Sequence, residues 1–195
     1  GLTWRYGDDA DSRLEAVGTA GEVREWAINQ VSDKFSNHIA YTWVDDQVTG
    51  ESLPGEIRWT GDASGAGARF RIVFGYEARP AEDQGQLHRW GTSWQRLQRL
   101  QSIRYEFDGG SGFGLVHRYT LTYTTGNGTG SGRSQLASIE QCGQTECLPP
   151  TSFGWQTGVT GFESAVAGPT DPLAGDAVFA DHDGDGDADL YIPVN

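Results

Sequence analysis

Hydrophobic and polar residues alternate along most of the chain from residue 38 to residue 155. In ARFRIVFGY, Phe70, Ile72 and Phe74 alternate with Arg69 and Arg71, and HIAYTWV and HRYTLTY repeat the pattern. Aromatic and β-branched residues spaced two apart are typical of strands that bury only one face. The pattern therefore predicts a series of half-buried β-strands.

Glycine-rich segments separate these strands and predict the turns between them. GEIRWT leads through DASGAG to FRIVFGYEAR, and LQSIRYEF leads through DGGSGFG to VHRYTLTY. LASIEQC then turns back into TSFGW. Because one hairpin alone is marginally stable, we expect consecutive long antiparallel hairpins that pair edge to edge in one extended sheet. The predicted fold class is all-β.

Two segments fit this pattern less well. GEVREWAINQVSD has Val23, Trp26 and Val31 at helical spacing, whereas Trp26 and Ile28 alternate as in a strand. We predict a strand because the neighbouring segments are strands. GTSWQRLQRLQSI is compatible with a short helical turn from Trp94 to Leu100 before its strand begins.

The composition agrees with a folded, acidic, glycine-rich protein. The 195 residues are 36% hydrophobic, include 28 glycines and carry a formal charge of −13, and Lys34 is the only lysine. An acidic surface disfavours nucleic-acid phosphates and anionic lipid, so we expect neither as a partner. No apolar run is long enough to span a membrane. The absence of methionine suggests a piece excised from a longer protein.

The sequence DHDGDGDADL at residues 181–190 predicts a calcium loop. Carboxylates at alternate positions can converge on one ion where Gly184 and Gly186 let the backbone turn sharply. The predicted ligands are the side chains of Asp181, Asp183 and Asp185, the backbone carbonyl of Asp187, and the closing carboxylate of Asp189. An EF-hand would need glutamate where Ile192 stands, so we expect a strand–loop–strand unit that binds Ca²⁺. A merely solvated acidic end is the alternative.

The two cysteines, Cys142 and Cys147, lie in QCGQTECLPP. A single pair with this spacing and no nearby histidine is a poor zinc site, so we predict a disulfide at a hairpin tip, with two free thiols as the alternative. A disulfide favours an environment outside the cytoplasm.

Recognisable catalytic motifs are missing from the sequence. It contains no nucleophile elbow, no zinc-protease helix and no phosphate-binding loop. Two acidic pairs, Asp45 with Asp46 and Glu82 with Asp83, could in principle serve glycoside hydrolysis, but they are more simply explained as solvated turn residues. We therefore predict that the chain is not an enzyme.

An ordered set of phrases resembles the SpvB/TcdB-type proteins, which are large bacterial toxin-complex and RHS-repeat proteins. The phrases are REWAINQVSDKFSNHIAYTW, IRWT, FRIVFGYEARPAED, RLQSIRY, YTLTY, RSQLASIEQC and CLPPTSFGW. The resemblance implies a β-rich region of a shell that encloses a toxic segment, and the acidic loop resembles an FG-GAP repeat.

The sequence therefore predicts three regions: a hairpin shell region at 1–156, a linker at 157–176, and an incomplete FG-GAP-like calcium repeat at 177–195. We expect a non-catalytic structural fragment of a secreted bacterial toxin. Its partners would be other segments of the same polypeptide or subunits of a toxin complex. The alternative is a calcium-dependent carbohydrate- or protein-binding module of an extracellular adhesin. The oligomeric state stays open.

Overall fold

A computed structural model describes residues 1–19, 21–61, 67–89, 91–125, 133–155, 178–180 and 189–191. Across these residues the chain forms fifteen strands and two single-turn 3₁₀ helices, Ala10–Ser12 and Ala81–Asp83, with no α-helix. The all-β prediction is confirmed. In chain order the strands are β1 (Leu2–Tyr6), β2 (Arg13–Glu15), β3 (Val23–Trp26), β4 (Ile28–Asp33), β5 (His38–Asp46), β6 (Glu51–Gly61), β7 (Phe70–Ala78), β8 (Gly85–Arg89), β9 (Thr92–Arg96), β10 (Gln98–Asp108), β11 (Phe113–Thr125), β12 (Ser134–Cys142), β13 (Thr151–Ser152), β14 (Val178–Ala180) and β15 (Asp189–Tyr191).

Nine of these strands form one sheet in the order β1-β4-β5-β6-β7-β10-β11-β12-β13. Every neighbouring pair in it is antiparallel. The spatial order follows the chain order, so the predicted series of consecutive hairpins is confirmed. Two short hairpins, β2–β3 and β8–β9, are inserted into this series as separate two-stranded sheets.

The segment GEVREWAINQVSD is extended, as predicted. It contains β3 and β4, which are separated at Ala27. Ala27 donates its N–H to the carbonyl of Ser12 and accepts a hydrogen bond from Gly7, at 2.8 and 3.0 Å. These bonds connect the segment to the N-terminal residues. Because the Ala27 N–H already donates to Ser12, it does not donate to the carbonyl four residues earlier, as it would in an α-helix.

The helical turn considered for Trp94 to Leu100 is wrong, because this segment is the end of β9 and the start of β10. Its backbone groups bond to distant segments instead of to the preceding turn. The buried Glu51 carboxylate accepts the N–H groups of Leu97 and Gln98 at 2.9 and 3.0 Å. The N–H of Gln95 reaches the Thr49 carbonyl at 2.8 Å. Hydrogen bonds from residues about 45 positions away decide the conformation here.

Only a few apolar residues are buried in the part of the chain that the structure describes. They are Leu14, Ala27, Val31, Ala68 and Cys142. Most side chains of the central strands β6, β7, β10 and β11 are half-buried. The large sheet therefore lacks a conventional two-layer core in the described residues, and its stability depends on contacts between neighbouring strands within each face.

The chain divides into two compact units, Gly1–Gly158 and Val159–Asn195. In the second unit β14 and β15 pair antiparallel, with Ala180 opposite Asp189. The two strands on either side of the predicted loop thus have the expected arrangement, whereas residues 181–188 lie outside the described part. The regions proposed at 1–156, 157–176 and 177–195 remain predictions as functional assignments.

Gly50 marks a close approach between the sheet and the inserted hairpins. Its φ is +72°, in the left-handed region that glycine tolerates best. A Cβ atom at this position would lie 2.6 Å from Val17 and 2.8 Å from Trp94. Neither the backbone conformation nor the available space admits a side chain here.

We predict that Gly50→Ala lowers the free energy of unfolding by about 3 kcal/mol, because left-handed backbone strain adds to overpacking. Denaturant unfolding of both proteins measures the difference. The matched control is Gly109→Ala, in an exposed loop where a Cβ would approach no atom closer than 3.7 Å. Equal stability of the two variants would contradict this view of Gly50.

Candidate functional site

The central strands present a continuous row of rings on one face of the sheet. We call Trp59, Phe70, Tyr105, Phe107, His117 and Tyr119 the aromatic ladder. Trp59 stacks on Phe70 with ring centres 5.7 Å apart, and Phe70 lies 5.0 Å from Phe107. Tyr105 stacks on His117 at 5.0 Å. All six rings are half-buried.

The strand register produces this ladder. Trp59 pairs with Phe70 across β6 and β7, and Phe70 pairs with Phe107 across β7 and β10. Tyr105 pairs in turn with His117 on β11. Since residues two apart share a face, the alternation in each strand brings its rings to the same side. Aromatic pairs of this geometry contribute about 0.5–1.5 kcal/mol each beyond their burial.

The opposite face carries a cluster of charged side chains, Glu56, Arg58, Arg71, Arg104 and Glu106, which we call the charged cluster. Arg71 lies at its centre and forms ion pairs with Glu56 at 3.1 Å and with Glu106 at 2.6 Å. Arg58 pairs with Glu56, and Arg104 pairs with Glu106 at 3.4 Å. The Glu106 side chain is only 9% exposed, so its charge depends on these partners.

Phe113 covers the central arginine of this cluster. The Arg71 guanidinium lies 4.2 Å from the centre of the Phe113 ring, within the range of a cation–π contact. A bulge between Tyr105 and Glu106 shifts the pairing of β10 with β11. Beyond the bulge Glu106 is opposite Leu115, and Phe113 reaches the charged face.

A second buried ion pair connects Arg79 to Asp83, with 2.5 Å between Nη1 and Oδ2. Burial raises the pKa of Asp83, but hydrogen bonds from Ser134 and Arg79, with the positive charge of Arg79, outweigh it and leave the pKa below its ordinary value. A glycosidase acid needs a raised pKa. Asp83 lacks that feature; it is a buried ion-pair partner and not the solvated turn residue expected from the sequence, whereas its neighbour Glu82 is exposed.

The other acidic pair considered from the sequence lies at the end of β5. Burial raises the pKa of Asp45, and the nearby Arg24 partly offsets this effect. Asp46 instead accepts hydrogen bonds from Thr49 and from the N–H of Val48, which lower its pKa. Asp46 thus forms the turn that leads into β6, in agreement with the simpler interpretation as a turn residue.

Cys142 and Cys147 are joined by a disulfide at the end of β12. It closes a small turn in which Gly143 N–H donates to the Glu146 carbonyl at 2.7 Å. Glu140 lies close to both sulfurs, and these are the only three residues of the described chain grouped as a metal site would be. Because the sulfurs are oxidised, they cannot act as thiolate ligands, and this group is not a metal centre.

The predicted calcium ligands Asp181, Asp183, Asp185 and Asp187 lie outside the described residues, and of Asp189 only the backbone is described. The calcium loop therefore stays a prediction. His38 is buried, and its Nδ1 has no hydrogen-bond partner among the described residues, while His117 belongs to the aromatic ladder.

Sequence reasoning missed the charged cluster. The alternation did place Arg71 on the side away from the rings, and it would have placed Arg58 and Glu106 there too. What it lacked was the register that sets Arg71 opposite Glu106 and diagonal to Glu56. Opposite charges at facing positions of adjacent predicted strands were the available signal.

Comparison with solved structures shows what this fold resembles. The chain matches the TcdB2-TccC3 complex with a TM-score of 0.64 and 14% identity, over 80% of this chain and 10% of the other. It also matches the N-terminal domain of the effector protein SpvB from Salmonella typhimurium, with a TM-score of 0.60 and 14% identity, over 73% and 58% of the two chains. The chain shares its fold with these toxin proteins.

A third match is the Photorhabdus luminescens Tc holotoxin pore, with a TM-score of 0.65 and 15% identity over 80% of this chain and 10% of that one. The resemblance to SpvB/TcdB-type proteins inferred from the sequence is thus confirmed in the fold. The chain spans about a tenth of the toxin-complex chains that it matches.

No family model and no curated protein matches the sequence. Among the described residues no helix is long and apolar enough to cross a membrane.

We predict that Arg71→Met lowers the free energy of unfolding by about 3 kcal/mol, because it leaves Glu56 and Glu106 buried without their shared partner. Arg104→Met is the matched control. Its side chain is 46% exposed, and its loss should cost less than about 1 kcal/mol. Urea unfolding measures the free energy of unfolding of both variants. Equal values would contradict the central role of Arg71.

Asp83→Asn should lower the free energy of unfolding by about 2 kcal/mol at neutral pH, since it replaces charge-assisted hydrogen bonds. The pKa of Asp83 is depressed in the folded state, so its contribution is complete above the ordinary carboxyl pKa of about 3.9. The difference between wild type and variant should shrink as the pH falls below that value. The control Glu82→Gln, at the exposed neighbour, should unfold with the same free energy as the wild type. If the difference for Asp83→Asn stayed constant as the pH fell, titration of Asp83 could not be its origin.

Proposed function

We propose that the chain is a non-catalytic structural segment of a secreted bacterial toxin of the SpvB or toxin-complex type. In this role it forms part of a shell that encloses or delivers a toxic segment. Its partners are other segments of the same polypeptide or subunits of the toxin complex.

The fold is the first support for this proposal. Solved structures that share it include a Tc holotoxin pore, the TcdB2-TccC3 complex and a domain of the effector SpvB. The disulfide between Cys142 and Cys147 fits a protein that functions outside the reducing cytoplasm.

The aromatic ladder is the observation that carries the proposal furthest. Six half-buried rings extend across four strands of a sheet that has few fully buried apolar residues in its described part. Aromatic side chains are enriched where proteins contact one another. A sheet of this kind is suited to pack its aromatic face against a further segment of a larger assembly.

Hydroxyl-radical footprinting of the isolated chain and of the assembled toxin tests this role. We expect the oxidation of Tyr105, Phe107 and Tyr119 to fall severalfold in the assembly, because the ladder becomes covered. Phe35, a loop residue that is 73% exposed, is the internal reference. Equal oxidation of the ladder in both samples would contradict the proposed packing face.

Two further assays separate this proposal from other classes of function. Hydrolase or transferase activity of the purified chain would overturn the non-catalytic role. Saturable, calcium-dependent binding on a glycan array would instead favour an adhesin module. The structural role predicts neither result.

We also propose that the loop at 181–189 binds one calcium ion and stabilises the C-terminal unit. The antiparallel pairing of β14 with β15 supports this, since it brings Ala180 and Asp189, at the two ends of the loop, opposite each other. Calcium prefers six to eight oxygen ligands, which the aspartates between these ends could supply.

Thermal unfolding with calcium and with chelator, combined with calorimetric titration, measures this binding. A ligand that binds only the folded state stabilises it by about 2.7 kcal/mol at a hundredfold excess over Kd. We expect one site per chain, lost in Asp189→Ala and kept in the exposed-residue control Glu82→Gln. Absence of both heat and thermal shift would refute the calcium loop without affecting the proposed shell role.

A further inference from the structure

A cavity of about 290 Å³ lies where both inserted hairpins meet the sheet. β2 and β3 contribute Leu14 and Arg24, β8 contributes Leu87, β9 contributes Trp94 and Arg96, and the start of β6 contributes Ser52. The cavity is close to the lower end of the size range of small-molecule sites. It is separate from the aromatic ladder and from the charged cluster, with which it shares no residue.

Three residues that line this cavity each have a buried polar atom without a hydrogen-bond partner among the described residues. The atoms are Nη1 of Arg24, Nε of Arg96 and Oγ of Ser52. Buried polar groups in folded proteins are nearly always paired, because an unmade hydrogen bond leaves their desolvation uncompensated. Three such atoms in one cavity, two of them on guanidinium groups, indicate a site for a ligand that accepts hydrogen bonds.

The surrounding structure holds Arg24 in position, and Arg96 lies beside a glycine of the neighbouring strand. Arg24 donates through Nη2 to the Gly50 carbonyl at 3.1 Å, and its guanidinium lies 4.7 Å from the centre of the Trp94 ring. Gly85 is opposite Arg96 in the β8–β9 hairpin, where a Cβ would lie 3.5 Å from Arg96 Nη2. The Arg96 guanidinium therefore lies at ordinary van der Waals distance from the position that a Cβ of residue 85 would occupy.

Acidic residues lie near these arginines, with Glu25 and Glu51 in the cavity lining and Asp45 close to Arg24, but none of them forms an ion pair with either arginine. Glu51 uses Oε1 to accept the N–H groups of Leu97 and Gln98, and Glu25 is an exposed residue. Within the described chain neither Arg24 nor Arg96 has a carboxylate oxygen within ion-pairing distance. Two guanidinium groups therefore retain donors for an external anion.

We propose that this cavity binds a carboxylate that is attached to a small apolar body. Guanidinium donors match the planar geometry of a carboxylate, and the Ser52 hydroxyl supplies a further donor. Trp43, Leu53 and Trp94 provide an apolar wall for the rest of the ligand. The carboxylate comes either from a free small molecule or from an acidic side chain of a segment that docks at the hairpins.

Calorimetric titration with benzoate and with its neutral analogue benzamide tests the proposal on the unmodified protein. Benzoate should bind with one site per chain, and benzamide should bind at least about tenfold more weakly, because it lacks the charge-assisted hydrogen bonds. Arg96→Gln should weaken benzoate binding by a similar factor. Arg104→Gln, which removes an arginine of the charged cluster outside the cavity, should leave it unchanged. Far-UV circular dichroism checks that both variants fold.

No benzoate binding, equal binding of benzoate and benzamide, or full affinity in Arg96→Gln would each overturn the proposal. A competition arm identifies the source of the carboxylate. Displacement of benzoate by the blocked tripeptide Gly-Glu-Gly, but not by Gly-Gln-Gly, assigns the site to an acidic side chain. Benzoate binding that neither peptide displaces assigns it to a free carboxylate.

Discussion

The pairing of β7 with β10 is the interaction on which the rest of the large sheet depends. These strands are separated in sequence by the inserted β8–β9 hairpin, yet they are adjacent in space. Both the aromatic ladder and the charged cluster cross this pair, through Phe70 with Phe107 on one face and Arg71 with Glu106 on the other. If the two strands separated, the sheet would divide into two smaller hairpin groups and both clusters would be cut.

This pairing is important because few apolar side chains of the described residues are buried. A conventional sandwich stabilises each sheet by packing it against a second layer. Here the described residues bury few apolar side chains completely, and several of these lie near the inserted N-terminal hairpin, as Leu14 and Ala27 do. Cross-strand ring stacking and ion pairs within a single layer take over part of that role. The same half-buried ladder makes the sheet suited to contact another part of a larger assembly.

The alternation of hydrophobic and polar residues predicted the fold. The features that it did not predict depend on contacts between residues far apart in the sequence. Alternation around Phe70 and Tyr119 was enough to predict the strands and their order, whereas the resemblance to SpvB/TcdB-type proteins came from an ordered set of sequence phrases. The extended form of Trp94 to Leu100 was not predictable in this way, because its N–H groups are bound by Glu51 from another strand. The charged cluster and the unpartnered atoms of Arg24 and Arg96 likewise arise from strand register and hairpin placement.

Native-state hydrogen exchange, resolved by residue, tests most directly whether the β7–β10 pair holds the sheet together. The most slowly exchanging amides should lie in β7 and β10, with rates set by global unfolding, while the edge strands β1 and β13 exchange faster. The opposite result would place the slowest amides between Leu14 and Val31, with rapid exchange in β7 and β10. That result would mean that the small buried region near the N-terminal hairpin, and not the cross-strand pairs, holds the fold together.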